Sequence, residues 1–222
     1  MMKPEKLIIR LISLAVLASC ELTPFEEDEK SIVKPEQTTV QETSSLFVQD
    51  EDNKVFTFET NDTSYLGANG YTLWTVPNAN TSENFNPIAV EAVKESGRTE
   101  AGFGLVFCEQ KIERKPFMLA VLINANGYYT VGKVSDGVFC HINDGWKNSN
   151  FINKGYGIKN TIYVAYDTGT RNFILKINGY EITSFTMSEQ ISFKNSKSGF
   201  AVVIAHNEIF PGKPVRVTFE NK

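Results

Sequence analysis

The sequence predicts an all-β fold, a two-sheet antiparallel β-sandwich, and three observations carry the prediction. Between residues 45 and 222 the apolar residues fall in short runs. Asn, Asp and Gly pairs separate those runs at close intervals, where hairpin turns need residues that accept positive φ. No segment there sustains the 3.6-residue apolar period of an amphipathic helix. The 16 Phe and 8 Tyr, with many Val, Ile and Thr, suit pleated, half-buried surfaces.

The strands follow in order. Residues 55–58 open the domain. Residues 70–76 (GYTLWTV) follow the Asn69-Gly70 turn, and Trp74 within them reads as core. Residues 88–93 (IAVEAV) alternate, and 102–107 (GFGLVF) lead into a charged loop. The strongest hairpin joins 117–123 (FMLAVLI) to 128–134 (YYTVGKV) across Asn124-Ala125-Asn126-Gly127. A second turn, Ser135-Asp136-Gly137, leads into 138–142, so three consecutive strands form a meander. If Ile123 pairs with Tyr128, then Tyr129 and Lys133 share a face with Met118 and Leu122, and Tyr128 turns toward Phe117, Leu119 and Val121; a one-residue slip reverses every assignment. Residues 162–166 and 173–177 form a hairpin around Asp167-Thr168-Gly169, with Phe173, Leu175 and Ile177 on one face and Lys176 on the other. Asn178-Gly179 turns the chain into 181–185. Residues 200–205 and 215–219 close the domain, the last with Val215, Val217 and Phe219 alternating with Arg216 and Thr218.

The first twenty residues have another character. Lys3, Lys6 and Arg10 precede the apolar stretch LISLAVLA at 11–18, the layout of a secretory signal and too short to span a bilayer. Leu17-Ala18-Ser19-Cys20 resembles the bacterial lipobox. That resemblance implies cleavage before Cys20, acylation of its thiol, a membrane partner through the lipid, and residence in the cell envelope, at the outer membrane or cell surface. The alternative is a non-lipidated signal with an incidental cysteine. Residues 20–44 then read as a lipidated cysteine and an acidic tether. Glu21, Glu26, Glu27, Asp28, Glu29, Glu36 and Glu42 face only Lys30 and Lys34, and Pro24 and Pro35 interrupt. The division is thus 1–19 signal, 20–44 tether, 45–222 sandwich. The net charge of −4 with no basic cluster speaks against nucleic acid.

The order AGFGLVFC, FMLAVLINANGYYTVGKVSDGVFCHINDGW, NTIYVAYDTGTRNFILKINGYEI and GFAVVIA with VRVTFEN resembles bacterial concanavalin A-like and laminin G-like jelly rolls over residues 88–221. Cys108 departs from the family pattern, where a small residue is usual, and Phe139 stands where Trp is frequent. The resemblance implies a jelly roll. It implies no single function, since the superfamily includes lectins, sugar-binding modules, glycosidases and protein-interaction domains.

The chemistry expected is binding rather than turnover. Glucanases of this fold carry carboxylates as E-x-D-x-x-E on one strand; this chain has no such run, and Glu91 and Glu95 read as ordinary outward-facing residues. His141 follows Cys140, so neighbouring side chains point to opposite faces and form no dyad, and His206 reads as a solvated loop residue. No metal-ligand spacing or cofactor motif is present, so neither a metal nor a cofactor is expected. Cys108 and Cys140 either pair or sit as small residues in a β core. The candidate ligand site is the loop Asn143-Asp144-Gly145-Trp146-Lys147-Asn148. There Trp146 stacks a sugar ring while Asp144 and Asn148 hydrogen-bond it, or Trp146 folds over the sheet edge as core. Tyr129 joins as a candidate for the ligand-facing side. Three roles follow: a glycan- or protein-binding module, a glycosidase-like enzyme on the same fold, and a scaffold subunit of an envelope complex.

Overall fold

The computed structural model describes residues 47–50, 54–67, 71–135 and 138–222, without the side chains of 67 and 71–78. The signal segment, Cys20 and the acidic stretch lie outside the described residues.

Where apolar and polar residues alternate, the chain forms strands that bury one face. The first sheet contains β1 (Phe47–Gln49), β2 (Val55–Thr60), β4 (Ile88–Ser96), β10 (Lys159–Asp167), β11 (Asn172–Ile177), β12 (Tyr180–Phe185) and β14 (Val215–Asn221). The second contains β3 (Tyr71–Ala79), β5 (Phe103–Ile112), β6 (Lys115–Ile123), β7 (Tyr128–Ser135), β8 (Val138–His141) and β13 (Lys197–Ile204), with the two-residue β9 (Lys147–Asn148) against β7. Their orders are β1-β2-β14-β4-β10-β11-β12 and β3-β13-β5-β6-β7-β8, and every paired strand is antiparallel. Each strand finds its partners within residues 47–222. The fold is the expected two-sheet sandwich; β1 and β9 are additions to the strands legible in sequence.

Phe173, Leu175 and Ile177 of β11 point inward, and Val215, Val217 and Phe219 of β14 do the same. Phe173 lies among the rings of Phe85, Phe107, Tyr166, Phe185 and Phe193, at centroid distances of 4.9–6.2 Å. On the far side of the core Phe200 stacks on Phe219 and meets Phe56. Asn178-Gly179 makes the expected tight turn with φ of +53° and +86°.

The β6–β7 register differs from the sequence-based expectation. Ile123 pairs with Tyr129, not Tyr128. Asn124 is the cause: its N–H donates to the Tyr128 carbonyl at 2.9 Å, and its Oδ1 accepts from the N–H groups of Asn126 and Tyr128. The side chain thus closes the turn one residue tighter and extends the ladder by a pair. All faces invert. Tyr129 and Val131 enter the core, while Tyr128, Thr130, Gly132 and Val134 join Met118, Ala120 and Leu122 on the outer face.

One end of the sandwich collects the loops 97–102, 124–127, 149–158 and 205–214. The chain enters β1 near this end: Phe47 pairs with Phe58, two residues before Thr60, which faces Val215 at the start of β14.

Candidate ligand-binding face

The outer face of the second sheet is apolar. A row of backbone partners crosses it from Thr130 through Leu122, Gly104 and Ala201 to Trp74. The side chain of Trp74 lies outside the described residues. A parallel row runs from His141 through Gly132 and Ala120 to Val106. Small residues leave hollows that aromatic rings fill. A Cβ on Gly132 would meet the Phe139 ring at 2.2 Å, and one on Gly102 would meet the far edge of the Trp146 indole at 2.9 Å. Val106, Met118, Leu122, Val134 and Phe139 are buried in this second cluster, and Trp146 packs against it half-exposed.

The loop after β8 sets Trp146 in place. Asp144 and Gly145 both take positive φ, +56° and +84°, which reverses the chain and returns it to β7 as β9. Asn143 anchors the loop: its Oδ1 accepts from the Val131 N–H at 3.0 Å and the Thr130 hydroxyl at 3.2 Å. Thr130 Oγ1 also bonds His141 Nδ1 at 2.7 Å. The Nδ2 of Asn143 is buried without a hydrogen-bond partner among the described residues. Burial lowers the His141 imidazole below its usual range, against the pull of nearby Asp144, and favours the neutral ring.

The sequence-predicted residues divide. Trp146, Asp144 and Asn148 lie on one loop, with the Asp144 carboxylate fully exposed 3.4 Å from Lys147 Nζ and Asn148 exposed opposite Tyr128. Tyr129 does not join them: at 8% exposure it faces the core between the sheets, the consequence of the tighter turn. Tyr128, 38% exposed, takes its place beside the loop. Thr130 and His141 were not singled out for this face; the amide chemistry of Asn124, which sets the register, was the signal that would have found them.

Other candidates lie elsewhere. Glu91 and Glu95 face outward from the first sheet and are held in ion pairs. Glu91 bonds Lys159 at 2.5 Å, which holds its carboxyl below the usual range, and Glu95 meets Arg216 at 2.8 Å. His206 is exposed. Cys108 and Cys140 are unpaired, the first buried and the second exposed at the sheet edge, so only Cys108 occupies a β core. Burial pushes the Cys108 thiol up to about 12. Among the described residues no group of three His, Cys, Asp or Glu side chains is placed to hold a metal ion.

No family model matches the chain, and no curated protein matches it. Solved structures do. A β-glucanase of Bacillus licheniformis superposes with a TM-score of 0.51 at 7% identity, covering 79% of each chain. A structure described as a native glycosidic hydrolase gives 0.50 at 11% identity, covering 81% of this chain and 84% of the other. The domain is a two-sheet jelly roll. A carbohydrate-binding module of Bacillus subtilis, CBM66, superposes with a TM-score of 0.48 at 11% identity over 78% of this chain and 90% of that one. The likeness to the first two structures speaks for the jelly roll and leaves its ligand to the residues.

Proposed function

We propose that this protein is a cell-envelope lipoprotein, anchored through Cys20, whose jelly roll binds glycan without cleaving it. The observation that carries the reading is the half-exposed Trp146 indole, held over Gly102 and Leu122 beside exposed Tyr128, Asp144 and Asn148. An aromatic face flanked by hydrogen-bonding groups suits the apolar face and hydroxyl rim of a sugar ring. Two jelly rolls of the same architecture are named for action on saccharides, which adds to this reading. Binding without turnover fits the placement of Glu91 and Glu95, which sit on the other sheet and are neutralised by lysine and arginine. The lipid anchor rests on the lipobox resemblance and the signal-like segment before it.

A glycan array probed with residues 45–222 tests the binding. Trp146→Ala is expected to weaken capture at least about fivefold. The exposed changes Asp144→Ala and Asn148→Ala, which touch no core, are expected to weaken it as well. Absence of any glycan signal with a folded domain would replace the glycan by a protein partner. Mass spectrometry of the processed protein checks the anchor separately, as an acylated amino-terminal Cys20 peptide.

A further inference from the structure

The large apolar side chains left in water are unevenly distributed. Among the described residues eight are exposed, and six of them, Tyr128, Phe151, Tyr156, Ile158, Tyr180 and Ile209, lie at the end where the chain enters β1. Three belong to the single segment 149–158. That segment is held in place, so their exposure is a fixed feature. Its Ser149, Gly155 and Gly157 N–H groups donate to the carbonyls of Gly127, Ala125 and Lys94, and Asn178 Nδ2 donates to the Phe151 carbonyl at 2.7 Å. The Tyr156 hydroxyl donates to the Gly97 carbonyl. Ile152 turns into the core at 3% exposure, while Phe151, Tyr156 and Ile158 stay outside at 44, 39 and 42%. Phe151 stacks on Tyr180 at 4.4 Å. Keeping the Phe151–Tyr180 pair, and Tyr156 and Ile158 of the same end, in water opposes the hydrophobic effect, and exposed apolar groups gathered at one end of a domain mark a contact surface.

The geometry points to this end of the sandwich docking on a lipid surface. The segment 149–159 carries Lys154 and Lys159, the second paired with Glu91, and Lys213 Nζ sits 5.1 Å above the Tyr156 ring, whose hydroxyl also feels Glu208 and Glu100. Aromatic and aliphatic side chains interleaved with lysine suit the boundary between headgroups and acyl chains, and the cations are drawn to anionic lipid. The position of the chain entry selects the occupant. Phe47 leads into β1 near this same end, so a lipid on Cys20 tethers the molecule by the end that carries the patch. The inference therefore rests on the Cys20 anchor for its orientation.

Sedimentation of residues 45–222 with vesicles of phosphatidylethanolamine and phosphatidylglycerol tests the patch without the anchor; this stretch contains all strand partners of the sandwich. The wild-type domain is expected to partition onto the vesicles, and Phe151→Ser with Ile158→Ser to reduce that partition at least about tenfold. Both side chains are exposed, and an unchanged unfolding midpoint confirms that the fold survives. Absence of partition, or partition unaffected by the double substitution, overturns the inference. So does self-association that the same substitutions abolish, which makes the occupant a second copy. An unmodified Cys20 in mass spectrometry together with intact vesicle binding removes the anchor and leaves the lipid-docking patch standing.

Discussion

Two residues of one type show how much a single position decides. Cys108 takes φ +54° where the β5–β6 register shifts between Phe107 and Gln110, and it is 1% exposed in the core. Desolvation disfavours its thiolate, so its reactivity is suppressed. Cys140, on the edge strand β8, is open to solvent. A thiol reagent is therefore expected to modify one cysteine per folded molecule of residues 45–222, and the second only in denaturant. Cys140→Ser removes the native signal. Two fast-reacting thiols in the folded state would contradict this placement. The positive φ of Cys108 was hidden from the sequence, because neither neighbour is a turn residue.

At the scale of strands, the outer face of the second sheet depends on missing side chains as much as on present ones. Gly132 of β7 makes room for the Phe139 ring of β8, and a Cβ there would also stand 2.9 Å from the Cys140 carbonyl. Gly132→Ala must push β8 outward or turn Phe139 off the sheet. The expected cost is about 1–3 kcal/mol, read as a lowered urea midpoint of the sandwich. Phe139→Ala leaves only the carbonyl clash, so the alanine is expected to cost less in that background than in wild type. Equal costs in both backgrounds would show that the ring does not press on position 132. The alternation of β11 and β14 was legible, because each buries one face against a single core. The faces of β7 were not. Tyr128-Tyr129-Thr130-Val131 offers no apolar-polar alternation to fix them, and the register depends on one asparagine side chain at the turn.

For the molecule as a whole, the most unusual cost is a lysine inside the sandwich. Lys94 is fully buried on β4; its Nζ donates to the Ala101 carbonyl at 2.7 Å and lies 5.8 Å from the Phe103 ring. Burial lowers its pKa to about 8, with Glu208 and Glu100 opposing. Below pH 8 the amine is charged in both states, and the folded state bears the full desolvation cost. Between pH 8 and the usual 10.5 the folded protein has released a proton that the unfolded chain still holds, so this contribution to stability rises with pH. Its span is roughly 3 kcal/mol. The raised thiol of Cys108 and phenol of Tyr156 act in the opposite sense, so the lysine is read by difference. Urea unfolding of wild type and Lys94→Met from pH 7 to 10.5 should show wild type gaining on the variant across that window. A constant difference would place the ammonium in a solvated environment.

The sequence by itself determined the sandwich, its meander and the Asn178-Gly179 turn, because period-two alternation and an Asn-Gly turn are local properties of the chain, while the turns expected at Asn69-Gly70 and Asp136-Gly137 lie outside the described residues. It also brought Trp146, Asp144 and Asn148 together, since they are near neighbours on one loop. Only the tertiary structure decided which rings meet. Tyr129 went to the core and Tyr128 to the surface through a one-residue register choice, Phe139 was seated over Gly132 from a neighbouring strand, and the exposed side chains of 149–158 were gathered with Tyr180 at the chain-entry end. Such placements follow from packing between strands distant in sequence, where the energy of a contact depends on a neighbour that no local pattern names.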